Sequence, residues 1–402
     1  MKGVIFGAGS VGRGFIAELF YDAGMEICFI DINNEIIDSI NKNHEYPHIT
    51  VYNEEKSVKW IKNVSAISSL NEDSVENVIL DADIIATSLG ATVLPVIAPL
   101  LARAIQNRLD ITNEAIDILL CENLYGVAEY MQTLLLKHVP NDQHSQFTSK
   151  VGLVATSIGR MIPIVSNDTK KFHPATVLVE PYKFLPLDGE AMKSNFPIIS
   201  NMIWDKSISF DYYLDRKLYI HNMGHCFTAY LAEQKNYEFI WQGILDSEIR
   251  YFVRSAMIES AIALSRKYHQ TISQVITHID NLLMRFANKA LNDTCERVGR
   301  DPVRKLKSDD RFLGALKICL DQKTNCKFVS LGVAIGLNKL AKECAFDDEN
   351  VFAYFKQECP EIFNKEHEFV FDLLESQFKS INNGFDYFDQ INLMDESSDS
   401  CV

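Results

Sequence analysis

The sequence has no apolar run long enough to span a bilayer. The longest, around Val93 to Leu101, is interrupted by Pro95 and Pro99 and soon meets Arg103, far short of the roughly 18 residues a spanning helix needs. It also lacks a basic stretch ahead of an apolar one at its start, since Lys2 leads straight into Gly3-Val4-Ile5-Phe6; no export signal is predicted. The nine cysteines are odd in number, scattered and without a C-x-x-C pair. That pattern excludes a disulfide framework or a zinc ribbon and points to a reducing cytoplasm. With only 18 glycines and 11 prolines in 402 residues, collagen-like and low-complexity architectures are excluded as well. Positive charge is short: 39 Lys and Arg face 54 Asp and Glu, a formal net charge of −15. Such a surface repels nucleic acid and anionic membranes, so an anionic ligand needs a local basic pocket.

What is present is an α/β pattern. Short apolar runs at Gly3 to Phe6, Ile27 to Ile30, Ile84 to Thr87, Ile116 to Cys121 and Leu153 to Ser157 alternate with amphipathic stretches. This is the signature of βαβ units and a doubly wound, Rossmann-type parallel sheet. The polar stretch from Pro140 to Lys150 reads as a surface loop. After Thr176 to Val179 and the segment Glu180 to Asp188, the β-branched runs give way to 3.6-residue periodicity, as in Ile249 to Tyr268 and Phe312 to Leu320. The expected organisation is a nucleotide-binding domain over 1–190 and a mainly α-helical domain over 191–384. An acidic tail over 385–402 follows, in which Phe385, Tyr387 and Phe388 are placed to dock its first part.

The first strand runs into Gly7-Ala8-Gly9-Ser10-Val11-Gly12, a G-x-G-x-x-G followed by Phe15, Ile16, Leu19 and Phe20 at helical spacing. Gly7 permits a tight turn, Gly9 lets backbone amides approach a pyrophosphate, and Gly12 allows close helix–sheet packing. The second strand ends at Asp31, about 20 residues on, where a carboxylate accepts the ribose 2′-hydroxyl and repels a 2′-phosphate. NAD is therefore expected rather than NADP.

Further along, Lys217, Asn222 and His225 have the spacing K-x4-N-x2-H at the head of an expected helix. On an α-helix Asn222 and His225 share a face, and Lys217 lies about 80° round from His225 with an arm long enough to converge. A desolvated lysine can accept the proton of an alcohol, and an asparagine amide can hold the oxyanion. Spacing alone leaves open a solvent-exposed Lys217 and a hydrogen-bonded core His225. His221 and His225 as a metal pair is the rival, but no H-E-x-x-H and no third ligand accompany it.

Taken together, the opening MKGVIFGAGSVGRGFIAELFYDAG, the segments IIATSLGATVLPVIAPLLARAI and LLCENLYG, and KLYIHNMGHCFTAYL and ERVGRDPVRKLKSDDR resemble the mannitol dehydrogenase family of metal-independent polyol dehydrogenases, over residues 1 to about 340. Its short N-terminus and modest length resemble the members that act on a phosphorylated hexitol. The resemblance implies a Rossmann domain and a helical substrate domain with the active site in a cleft between them, and no metal. By the same resemblance, Lys217 is the general base, Asn222 and Asn123 hold the oxyanion, and His225 orients the substrate. Ser88, Gly90 and Asn123 join the glycine turn and Asp31 around the cofactor. The implied reaction is the NAD-dependent oxidation of D-mannitol 1-phosphate to D-fructose 6-phosphate by a monomer, with a homodimer as the alternative.

One departure stands out. Where the family has V-D-R-[IV]-x-P, this chain reads Ile158-Gly159-Arg160-Met161-Ile162-Pro163, so the Asp is missing and Arg160 lacks its neighbouring carboxylate. Arg297, Arg300, Arg304, Lys305, Lys307 and Arg311 crowd into residues 297–311. They make a candidate phosphate pocket, with Arg300, Arg304 and Lys305 as its contacts; a salt-bridged surface segment is the alternative. A free-polyol or hexuronate dehydrogenase, and a non-catalytic NAD sensor, are the competing functions.

Overall fold

The five apolar runs and one further strand form a single parallel sheet. In the computed structural model, which describes residues 1–363 and 367–396, the strands are β1 (Lys2–Phe6), β2 (Glu26–Asp31), β3 (Glu45–Tyr52), β4 (Glu55–Lys62), β5 (Val64–Ser68), β6 (Ile84–Thr87), β7 (Ile116–Leu120), β8 (Val151–Ala155) and β9 (Val177–Val179). The sheet order is β5-β2-β1-β6-β7-β8, every pair parallel. Its side chains alternate between two cores. Ile5, Ile27 and Phe29 face one side, and Val4, Phe6, Cys28 and Ile30 the other. Burial on both faces is why these strands read as continuous apolar runs.

The hairpin β3–β4 lies outside this sheet and pairs in parallel with β9 to make a second, three-stranded sheet. Neither the hairpin nor β5 stands out in the apolar pattern, because β4 is mostly exposed and polar. The stretch expected as a loop between Pro140 and Lys150 instead carries a short helix, His144–Lys150, held by the buried Phe147.

The chain divides into two units, Met1–Phe210 and Asp211–Val402, about a helix-length later than the change in composition near residue 190. The second unit is helical. Its central helix, Ser247–Lys267, packs against Met223–Gln234, Ile272–Phe286 and Lys327–Cys344, burying Phe252, Met257 and Leu264. Residues expected in an acidic tail include a helix, Tyr387–Glu396. Phe385 and Tyr387 lie against Phe252 at ring-centroid distances of 5.8 and 5.1 Å, whereas Phe388 is exposed. These residues extend the helical unit; 397–402 lie outside the described residues. Among the described residues no helix is long and apolar enough to cross a membrane.

Candidate active site

In the first unit the glycine turn has the conformation its residues demand. Gly7 sits at φ +100°, a region that side chains rarely adopt. A Cβ on Gly12 would lie 2.0 Å from the Gly7 carbonyl oxygen, so helix and strand could not approach as they do. Gly9 faces open space, with nothing within 4 Å of an added Cβ. At the end of β2, Asp31 accepts hydrogen bonds from the amides of Ala8 (2.7 Å), Ile32 (2.8 Å) and Asn33 (2.9 Å). A pocket of about 310 Å³ opens here, lined by Ala8, Gly9, Arg13, Asp31, Ile36 and Pro174 among others. An open glycine, a helix start behind it and a carboxylate at the pocket wall fit the adenosine and pyrophosphate of a dinucleotide. Ser10 is exposed and Val11 packs on the core.

The carboxyl ends of β6 and β7 complete this edge. Ser88 Oγ donates to the Gly7 carbonyl at 3.1 Å, tying its loop to the glycine turn, and Gly90 adopts φ +85°. Asn123 is exposed just past β7. Beneath it lies a residue the sequence reading missed. Glu122 is buried, accepts from Thr87 Oγ1 (2.7 Å) and the Leu89 amide (3.1 Å), and burial pushes its carboxyl up despite those bonds. It braces the β6 loop against β7, and its only sequence signal is a carboxylate two residues past the end of a buried strand.

In the second unit Lys217, Asn222 and His225 do occupy one helical segment, but Lys217 is not at its head: the α-helix Phe210–Arg216 runs directly into it. Lys217–Asn222 is a π-helical turn continuing into the α-helix Met223–Gln234. The hydrogen bonds of a π-turn run from i to i+5, so the α-helical angle of about 80° between Lys217 and His225 does not hold across this segment, and such turns are frequent at functional sites. Burial, with Arg311 beside it, holds the Lys217 ammonium down to about 8. His225 Nε2 lies 3.3 Å from Asp293 Oδ2, and its ring stacks on Phe286 at 4.8 Å. His221, 6.3 Å from His225 between ring centroids, is buried and driven well below the usual histidine range by that burial and by the cationic Arg285. Among the described residues no cluster of three or more His, Cys, Asp or Glu could hold a metal.

The basic segment separates on inspection. Lys305 is buried and donates to the carbonyls of Val298 and Arg300. Arg304 is exposed and ion-paired with Asp301 (2.9 Å) and Asp310 (3.3 Å), and Arg300 is exposed. Arg311 is the one whose charge is felt at Lys217. Its side chain is 13% exposed, and its amide and Nε both donate to Asp310 Oδ1, at 2.6 and 2.8 Å. Three residues on, Gly314 lets this segment press on the π-turn: a Cβ there would fall 2.3 Å from the Tyr219 ring.

Gly159 is not sterically required, since an added Cβ would only touch the Tyr182 ring at 3.6 Å. Arg160 finds its carboxylate elsewhere, on Glu18, and also donates to the Glu180 carbonyl. The Glu180 side chain in turn accepts from the Met161 amide at 2.6 Å.

Comparison with known proteins matches residues 1–201 to the mannitol dehydrogenase Rossmann domain and residues 209–345 to the mannitol dehydrogenase C-terminal domain. The mannitol-1-phosphate 5-dehydrogenase of Caldanaerobacter subterraneus subsp. tengcongensis is 33% identical over 337 residues, 84% of this chain and 86% of the relative. Among solved structures, a substrate-free D-sorbitol dehydrogenase superposes with a TM-score of 0.79 at 14% identity, covering 97% of this chain and 94% of the other. Pseudomonas fluorescens mannitol 2-dehydrogenase, in a ternary complex with NAD and D-mannitol, superposes with a TM-score of 0.70 at 14% identity over 98% and 94%.

Proposed function

The chain belongs to the mannitol dehydrogenase family and is an NAD-dependent oxidoreductase of polyols or polyol phosphates; from that premise we propose that its reaction is the reversible oxidation of D-mannitol 1-phosphate to D-fructose 6-phosphate. The observation that carries this reading is Lys217, half-buried at the start of a π-turn, with its ammonium held down to about 8 by desolvation. When bound, the nicotinamide supplies the hydride acceptor for the carbinol carbon. Lys217, neutral in an appreciable fraction of molecules at physiological pH, accepts the hydroxyl proton as the carbonyl forms. Asn222 and Asn123 are assigned the developing oxygen charge, and His225, fixed by Asp293 and Phe286, the adjacent hydroxyl.

The phosphate reading rests on two supports. The first is the substrate in the relative's name. The second is Arg311, whose guanidinium uses Nε on Asp310 while Nη1 and Nη2 make no hydrogen bond among the described residues. Two such donors suit a phosphoryl group. Arg311 therefore replaces Arg300, Arg304 and Lys305 as the proposed contact. We place the enzyme in the cytoplasm as a monomer.

The test is NADH oxidation against fructose 6-phosphate, fructose and hexuronates. The expected preference for the phosphate ester is about 100-fold in kcat/KM, the worth of charge-assisted hydrogen bonds to phosphate. Equal values for fructose and its phosphate reject the phosphorylated substrate in favour of a free polyol. Binding of NADH without turnover of any ketose rejects catalysis.

A further inference from the structure

The helix that carries the dinucleotide glycines also begins with a π-turn, Gly12–Ile16, before continuing as Ala17–Asp22. The Ala17 amide bonds back to the Gly12 carbonyl, five residues away. A π-turn is wider than an α-turn and its ladder is poorly aligned, so it persists where something outside the helix holds its carbonyls. Three side chains do so here. Tyr46 Oη donates to the Arg13 carbonyl at 2.7 Å, and Arg160 Nη1 to the Gly14 carbonyl at 3.0 Å. His48 Nε2 lies 3.3 Å from the same Gly14 carbonyl and 3.4 Å from Glu18 Oε2. With two acceptors on Nε2, that nitrogen must carry the proton.

Tyr46 and His48 are two residues apart on β3 and so point to one face, and both are fully buried. Gly14 lets them reach the turn. A Cβ there would lie 2.8 Å from Val177 and 3.1 Å from Val179 on β9, so any larger residue would lift the helix from the second sheet. The charges are balanced locally. Glu18 is buried, yet Arg160 and Lys59 outweigh the cost of burial and hold it down to about 2, while burial holds His48 down to about 4 and hence neutral.

We propose that Tyr46, His48 and Arg160 are positioning residues for the cofactor, holding the π-turn whose preceding amides face the dinucleotide phosphates. The three-stranded sheet is then the clamp that sets the aim of the phosphate-binding helix, and Arg160 extends the clamp to the loop after β8. None of the three touches the cofactor in this account. The inference rests on the NAD seat at the glycine turn.

Tyr46→Phe removes one hydroxyl and leaves the packing intact, and Arg160→Lys keeps a cation for Glu18 while losing the fork that reaches Gly14 and Glu180. NADH affinity, read by fluorescence titration, should weaken about five-fold in each, the share expected of one hydrogen bond. Amides 12–18 of the unliganded protein should exchange faster with deuterium, while kcat at saturating NAD and ketose stays unchanged. NADH binding and exchange equal to the native protein in both folded variants would overturn the clamp. So would equal losses in kcat and in melting temperature without a change in NADH affinity, which mark a merely structural role. A native chain that bound no NADH would remove the cofactor seat itself, a failure distinct from either.

Discussion

Replacing Lys217 by Met should abolish turnover and at the same time make the protein harder to melt at neutral pH. Burial, with the Arg311 charge adding to it, lowers this ammonium from 10.5 to about 8. A lysine at about 10.5 is neutral in roughly 3 molecules in ten thousand at pH 7, and one at about 8 in roughly one in ten, a gain of about 300-fold in available base. The same shift, about 2.5 pK units, means that the charged form is disfavoured in the fold by roughly 3 kcal/mol as an upper bound. Between pH 8 and 10.5 the unfolded chain binds the extra proton, so this part of the stability rises with pH across that window and is fully absent below it. Below pH 8 the Met variant therefore escapes the cost. Oxidation needs the neutral amine, so kcat/KM for the alcohol should climb ten-fold per pH unit and level off above about 8, while ketose reduction falls there. Arg311→Gln removes a neighbouring positive charge and should move the inflection upward. Initial rates of NADH formation from pH 6 to 10, together with thermal melts at pH 7, measure all of this. An inflection near 10, or a Met variant that melts no higher than the native protein, would refute the desolvated-base argument.

Asp31→Ala should reduce the preference for NAD over NADP by at least about ten-fold, since the carboxylate that repels a 2′-phosphate is gone; the ratio of kcat/KM values for the two cofactors reads it. In the helical unit, burial pushes Glu259 up to about 8, although its Oε2 accepts from the amides of Phe328 and Val329, each at 2.9 Å. A carboxyl raised in the fold holds its proton there and sheds it in the unfolded chain, so its contribution to stability falls as pH rises from about 4.5 to 8. Glu259→Gln keeps an acceptor for both amides without the charge, and its melting temperature should drop less than the native one between pH 5 and 8. Parallel melting curves would refute this.

The parts of the site that follow from local chemistry are those that the residues disclose directly. Gly7 and Gly12 are legible because each is demanded by backbone conformation or close approach within one turn, Gly9 only through the spacing of the motif, and Asp31 because strand length places it. The π-turns are not legible: adding one residue to a helical turn leaves Phe15, Ile16, Leu19 and Phe20 reading as ordinary amphipathic periodicity. Charge runs mislead for a different reason. Arg304 satisfies itself on Asp301 and Asp310, and Lys305 on two carbonyls, so density of basic residues says little about which one is left for a ligand. Arg160 lacks a carboxylate only among its neighbours in sequence; Glu18 comes to it through the fold.

The helical unit carries a lesson for anyone who would cut this protein to size. The recognised family segment stops at residue 345, yet Glu368–Asn382 lies along Lys327–Cys344. Ser330 Oγ reaches Gln377 at 2.9 Å, Asn338 reaches Asn382, and Lys327 Nζ caps the Met394 carbonyl at 2.7 Å. A recombinant fragment ending at the family limit would bare that flank, including Leu374 and Phe378's seat, and trade a finished interior for a sticky one. Expression boundaries belong beyond Met394, where the last buried apolar side chain of the described residues sits.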